Sequence, residues 1–171
     1  MRTTLVGLSL VALAACAPAL PPPPATATLE TVLRDAEGRE VGRARWREDV
    51  AGVLLELDVQ GLPPGAHGIH LHAVGVCQGP DFASAGPHWN PLGRQHGFEN
   101  PRGYHLGDLW NLEVGPDGRG RYSARLPGRT LAPGRPHSVR GRALVLHAQP
   151  DDYRTDPAGN SGARIACGVV G

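Results

Sequence analysis

The segment HGIHLH, residues 67–72, constrains this chain more than any other. On a β-strand, residues two apart project from the same face, so His70 and His72 would present two imidazoles side by side. Two imidazoles held on one sheet face make half of a metal site. Further donors follow at close spacing: His88 in GPHWNP, His96 in RQHG, and His105 with Asp108 in YHLGD. His147 lies inside the apolar run ALVLHA. Six histidines and a carboxylate are nitrogen and oxygen donors of the kind that suit copper and zinc. A histidine taken singly is usually a satisfied core residue or a solvated surface one. That reading weakens when donors recur at steps of 8, 9 and 3 from His88 to His96, His105 and Asp108.

The rest of the pattern reads as short strands. Glycine (24) and proline (17) are abundant in the 171 residues, which favours tight turns over long helices. Residues 29–34 and 40–47 flank the turn residues Asp35 to Gly38 as a hairpin. Residues 53–59 alternate with period two, Val53, Leu55, Leu57 and Val59 forming the apolar face. Residues 67–73 form a fourth strand. Residues 109–114 and 119–126 flank Pro116-Asp117-Gly118 as a second hairpin, and residues 142–148 and 164–170 complete eight strands. There is no amphipathic helix of normal length and no internal repeat. Eight short antiparallel strands fit a closed barrel or a sandwich in a single domain. The stretch from Val74 to Asp108 has no sustained period; a loop so long is uncommon unless it is functional or tied down, and this one carries four of the candidate donors.

The formal charge of +1 gives a nucleic-acid partner no electrostatic support. All 17 cationic side chains are arginine, for which codon usage is the ordinary explanation. At the N-terminus, Arg2 precedes an apolar run from Leu5 to Ala15, too short to span a bilayer permanently and of the type that directs export. It ends in Leu13-Ala14-Ala15-Cys16, which resembles the lipobox of bacterial lipoproteins. That resemblance implies a signal peptide over 1–15, and a lipidated Cys16 opening a Pro-rich tether over 16–26. A metal-binding domain would then occupy 27–171. Ordinary cleavage nearby, with Cys16 incidental, is the plainer alternative, but it leaves an odd cysteine among three. Export would place Cys77 and Cys167 in an oxidising compartment.

The stretches HGIHLH, SAGPHWNP, GRQHG, HLGDL, LVLHA and GNSGARIACGVVG together resemble the copper/zinc superoxide dismutases of the secreted bacterial type, from about residue 29 to the C-terminus. The resemblance implies an all-β fold, an eight-stranded antiparallel Greek-key β-barrel (an immunoglobulin-like sandwich) with long metal-binding and electrostatic loops. It implies copper held by His70, His72, His88 and His147, and zinc held by His88, His96, His105 and Asp108. His88 would bridge the two ions. The implied reaction converts superoxide to oxygen and hydrogen peroxide by cycling Cu(II) and Cu(I), with zinc structural, as extracytoplasmic antioxidant defence. Asp151 is expected to hydrogen-bond His70 and His96, and His67 to pack or hydrogen-bond beside the ligands without binding metal. Arg164 is expected to attract and orient the superoxide anion, and Cys77 and Cys167 to form the family disulfide. His137 matches no ligand and reads as surface.

Two departures from the eukaryotic members stand out. The segment between His147 and Arg164 is shorter and has no lysine, leaving Arg154 as a candidate for part of the attraction. The loop after Cys77 is longer, so the eukaryotic dimer contact does not carry over, and a homodimer stays open. Membrane contact is expected only through a lipid anchor at Cys16. Two rival readings are a copper or zinc carrier on the same fold and a purely structural surface lipoprotein.

Overall fold

The computed structural model describes residues 28–171; the expected signal peptide, Cys16 and the Pro-rich tether lie outside the described residues. Nine strands are present among them: β1 (Thr28–Asp35), β2 (Glu40–Asp49), β3 (Gly52–Val59), β4 (Gly65–His67), β5 (Ile69–His72), β6 (Leu112–Val114), β7 (Gly120–Leu126), β8 (Ala143–His147) and β9 (Arg164–Val169). The one helical element described is a 3-10 turn at Ala83–Ala85. All pairings of named strands are antiparallel, in the order β4-β6-β7-β3-β2-β1-β9-β8-β5.

The two ends of that order, β4 and β5, are separated in the chain only by Gly68. The sheet therefore meets itself and forms a nearly closed barrel. This accounts for nine strands where eight are expected. The single expected strand over 67–73 changes neighbours midway, its first part pairing with β6 and its second with β8. Gly68 makes the change, its N–H donating to the Gln149 carbonyl and its own carbonyl accepting from His147 (both 2.8 Å). A Cβ there would come within 2.9 Å of Ser161 and 3.3 Å of the His70 ring. The expected strand over 109–114 also shortens, to Leu112–Val114, because Asn111 turns its hydrogen bonds away from the sheet, as described below.

Period two then decides what lies inside. On β3 the alternate residues Val53, Leu55, Leu57 and Val59 are buried, packing with Leu33, Trp46 and Leu112. The Trp46 indole N–H donates to the Thr31 hydroxyl at 3.0 Å, so its one polar group is satisfied in the core. Strands β5 and β8 are buried on both faces. Ile69, Leu71, Leu144 and Leu146 enter the barrel core. Their alternates His70, His72, Ala143, Val145 and His147 face outward and are covered by the loop between β5 and β6. Beneath that loop Val145 and Ala143 join Phe82, Ala85 and Cys167 in a second apolar cluster.

The loop is tied down along β5. Leu71 donates to the Gly107 carbonyl and accepts from Trp89 N–H, both at 2.8 Å, and Gly107 N–H donates to Trp89. Trp89 and Leu109 insert into the barrel core. A Cβ at residue 107 would collide with the Leu71 carbonyl, so glycine is required for this approach. The outcome is that His88 lies opposite His72, and Asp108 opposite His70.

Candidate metal centre

The outward residues of β5 and β8 and the loop above them converge on one buried site. His70, His72, His88 and His147 each offer a ring nitrogen, all within 4.8 Å of one another. His88, His96, His105 and Asp108 do the same. His88 belongs to both groups. Its ring centroid is 4.0 Å from that of His70, 5.0 Å from His72 and 5.1 Å from His96.

The hydrogen bonds show which nitrogen each ring leaves for the centre. His70 Nε2 bonds Asp151 Oδ2 and His72 Nδ1 bonds the Gly86 carbonyl, both at 2.8 Å. His147 Nδ1 meets the Gly162 carbonyl at 3.3 Å, and His105 Nε2 the Arg94 carbonyl at 3.1 Å. His96 Nε2 bonds Asp151 Oδ1 at 2.9 Å. Each of these rings thus uses one nitrogen outward and turns the other inward, an arrangement that fixes orientation and tautomer. His88 differs: Nδ1 faces Asp108 Oδ1 at 3.1 Å, and Nε2 has no partner. The Asp108 oxygen Oδ2 is held by the backbone N–H groups of Gly97 and His105, each at 3.0 Å, leaving Oδ1 among the rings.

Burial sets the charge states. It pushes the His70 pKa down to about 3, His72 to about 2 and His147 to about 4, and lowers His88. These rings are therefore neutral at pH 7, the form in which imidazole binds metal. Burial opposes a charged His96 as well, but Asp108 and Asp151 outweigh it and raise that ring to about 9. Burial alone would raise the Asp108 carboxyl; hydrogen bonds from His105, His88 and His96 hold it well below the usual carboxylate range.

The residues fit a pair of metal ions. His70 Nδ1 and His88 Nε2 are buried without a hydrogen-bond partner, and unpaired buried polar atoms are costly unless a bound group takes them up. Four nitrogens suit copper, and three nitrogens with one carboxylate suit structural zinc.

A sequence profile described as Copper/zinc superoxide dismutase (SODC) matches residues 41–170. The chain belongs to the copper/zinc superoxide dismutase family. This is a family of oxidoreductases whose cofactors are copper and zinc. Superoxide dismutase [Cu-Zn] 2 of Aquifex aeolicus is 45% identical over 142 residues, covering 81% of this chain and 83% of that protein. The superoxide dismutase-like protein YojM of Bacillus subtilis is 44% identical over 143 residues, covering 81% of this chain and 73% of that one. The crystal structure of a SOD-like protein from B. subtilis superposes with a TM-score of 0.80 at 41% identity, covering 85% of this chain and 99% of that chain. These neighbours share the Greek-key barrel.

Around this candidate centre the remaining candidates are placed as follows. Cys77 and Cys167 form a disulfide, Cα atoms 5.7 Å apart, stapling the loop to β9. Arg164, at the start of β9, donates to the carbonyls of Phe82 (2.6 Å) and Gly86 (2.7 Å), so the stapled loop holds its guanidinium. Its charge acts on His72 and His147 and helps to lower both. His67 is buried outside the donor groups, with Nδ1 at the His147 carbonyl and Nε2 at the Pro63 carbonyl, both 2.8 Å. His137 is half-buried and in neither donor group. Arg154 is exposed and donates to the Glu99 carboxylate at 2.6 Å. Sequence reasoning missed the Gly86 carbonyl, which binds both His72 and Arg164, and Asn111, which clasps the backbone of Asp151. Gly86 lies within the stretch SAGPHWNP but acts through its backbone, which no residue type announces; for Asn111 only the short spacing from Asp108 hints at a place near the site.

Proposed function

We propose that this chain removes superoxide, converting two superoxide anions and two protons to oxygen and hydrogen peroxide. Copper would be held by His70, His72, His88 and His147, and zinc by His88, His96, His105 and Asp108. The observation that carries the reading is the double membership of His88, whose Nδ1 meets Asp108 and whose Nε2 has no protein partner. Bound copper supplies a one-electron couple between Cu(II) and Cu(I), and zinc a redox-silent charge. The chain's own residues do the rest. His88 Nε2, free of any protein partner, is the ring atom on which a proton can be held beside the reacting anion. Arg164 spends two N–H groups on carbonyls and keeps others to orient an anion, with a charge that is permanent at any working pH. Asp151 holds His70 and His96 in fixed tautomers.

The extracytoplasmic assignment belongs to the same proposal: a signal peptide over 1–15, a lipidated Cys16 and tether to 26, and the dismutase domain over 27–171. A formed disulfide supports an oxidising compartment. Mass analysis of the mature N-terminus from membrane fractions tests it; an unacylated Cys16 ends the anchor.

The enzymatic test loads the purified protein with both metals and measures superoxide removal and metal content on one preparation. Full occupancy without activity rejects the proposal and favours the carrier reading. His88→Ala is expected to abolish turnover while both metals remain measurable.

A further inference from the structure

The loop between β8 and β9 holds a residue that its backbone alone does not explain. Tyr153 adopts φ +61°, the left-handed region, where glycine is unstrained and a tyrosine is not. Were this position only a turn, glycine would serve it better, so the side chain must contribute something that offsets the strain.

Its contacts show what. The Tyr153 N–H donates to Asp151 Oδ1 at 2.7 Å, the oxygen that also meets His96. Its carbonyl accepts from Glu99 N–H at 2.9 Å, three residues beyond His96. Its hydroxyl accepts from Asn111 N–H at 2.9 Å. Asn111 in turn closes a two-way ring with the Asp151 backbone, Asp151 N–H donating to Oδ1 (2.9 Å) and Nδ2 donating to the Asp151 carbonyl (3.0 Å). The Tyr153 ring packs against Trp110 at 4.8 Å, and Trp110 stacks on Phe98, two residues after His96, at 4.5 Å. Three segments distant in sequence therefore meet at one residue, the β8–β9 loop and the metal loop around His96 through its backbone, and the entry to β6 through its hydroxyl and ring.

We propose that Tyr153 and Asn111 are positioning residues that lock Asp151 between the two donor groups. Through them the short β8–β9 loop sets the orientation of His96 and His70. Neither residue touches metal or substrate; each acts through the Asp151 carboxylate. The inference rests on the proposed assignment of His70 and His96 as ligands.

The test uses the full protein with Co(II) in place of zinc, because the visible ligand-field spectrum of Co(II) reports ligand geometry independently of turnover. Tyr153→Phe keeps the ring and removes the hydroxyl; Asn111→Ala breaks the ring of hydrogen bonds from the other side. Each is expected to shift the Co(II) spectrum and to speed Co(II) loss to a chelator about tenfold, in the range for groups that orient metal ligands. In an Asp151→Asn background, Tyr153→Phe is expected to add nothing, because the path it acts through is already cut. The inference is overturned if both variants melt lower without metal yet keep the parent spectrum and release rate, or if Tyr153→Phe and Asp151→Asn act additively. A parent protein that takes up no Co(II) overturns the ligand assignment as well, which separates the two failures.

Discussion

Arg164 and His72 share one acceptor, the Gly86 carbonyl, so the charge that would meet the anion and a ring that would hold copper are fixed to the same backbone atom. Removing that charge with Arg164→Ala is expected to lower kcat/KM for superoxide by about tenfold or more with metal content unchanged. That lies in the general range for steered association, of which superoxide dismutase is itself an example. Arg164→Lys, which keeps the charge and loses the two-carbonyl anchor, is expected to fall between, and rapid-mixing kinetics at low salt check both. Gly159 is the opposite kind of residue, one whose value is its missing side chain. A Cβ there would strike the Asp151 carboxylate and come within 2.6 Å of His96 Nε2, on a backbone with φ +63°. Gly159→Ala is therefore expected to lose zinc roughly tenfold faster to a chelator than the parent, followed by metal analysis over time.

At the scale of elements, the loop after β5 and the loop after β8 are irregular, yet both are held firmly. The disulfide closes a separation of 90 residues, which the chain-entropy model values at about 4 to 5 kcal/mol. Denaturant midpoints of metal-free protein with and without reductant are expected to differ by about that amount. A far smaller loss would show that Trp89 and Leu109, inserted in the core, hold the loop without it. In the β8–β9 loop, Asp152 accepts hydrogen bonds from the Thr155 hydroxyl and backbone, from Arg154 N–H and from Asn160, which lower its pKa to about 2. A depressed carboxylate stabilises above its unfolded pKa and stops doing so as pH falls through the folded one. The loop is therefore expected to loosen between pH 3.8 and about 2, and Asp152→Asn to flatten that dependence, read by limited proteolysis in acid. Periodicity located the strands well because alternation is a local property. It said nothing inside these two loops, whose conformations follow from glycines at close approaches and from bonds to distant residues.

At the scale of the whole molecule, the barrel supplies a rigid wall and the metal centre lies on its outer face under the loop. Metal bound there would be held by residues from β5, β8 and the loop at once, and so would be linked to folding. Metal at a hundred times its dissociation constant adds about 2.7 kcal/mol per site, a rise of roughly 10 °C in a domain of this size. Calorimetry before and after chelation is expected to show at least that fall in Tm. Identical melting with and without copper and zinc would mean that the donor groups bind neither.

What the amino-acid sequence determined by itself is local: the donor types, the period-two faces of the strands, the same-face placement of His70 and His72, and the hairpin turns. Through its motifs it also pointed to the family. What only the tertiary structure decided is who meets whom. That includes the split of one expected strand at Gly68, the double role open to His88, the pairing of Arg154 with Glu99, and the clasp of Asn111 and Tyr153 on Asp151. The reason is physical. Side-chain chemistry and backbone period act over a few residues, whereas the choice of nitrogen on each ring and the fate of each charge depend on partners brought together by pairing across the barrel.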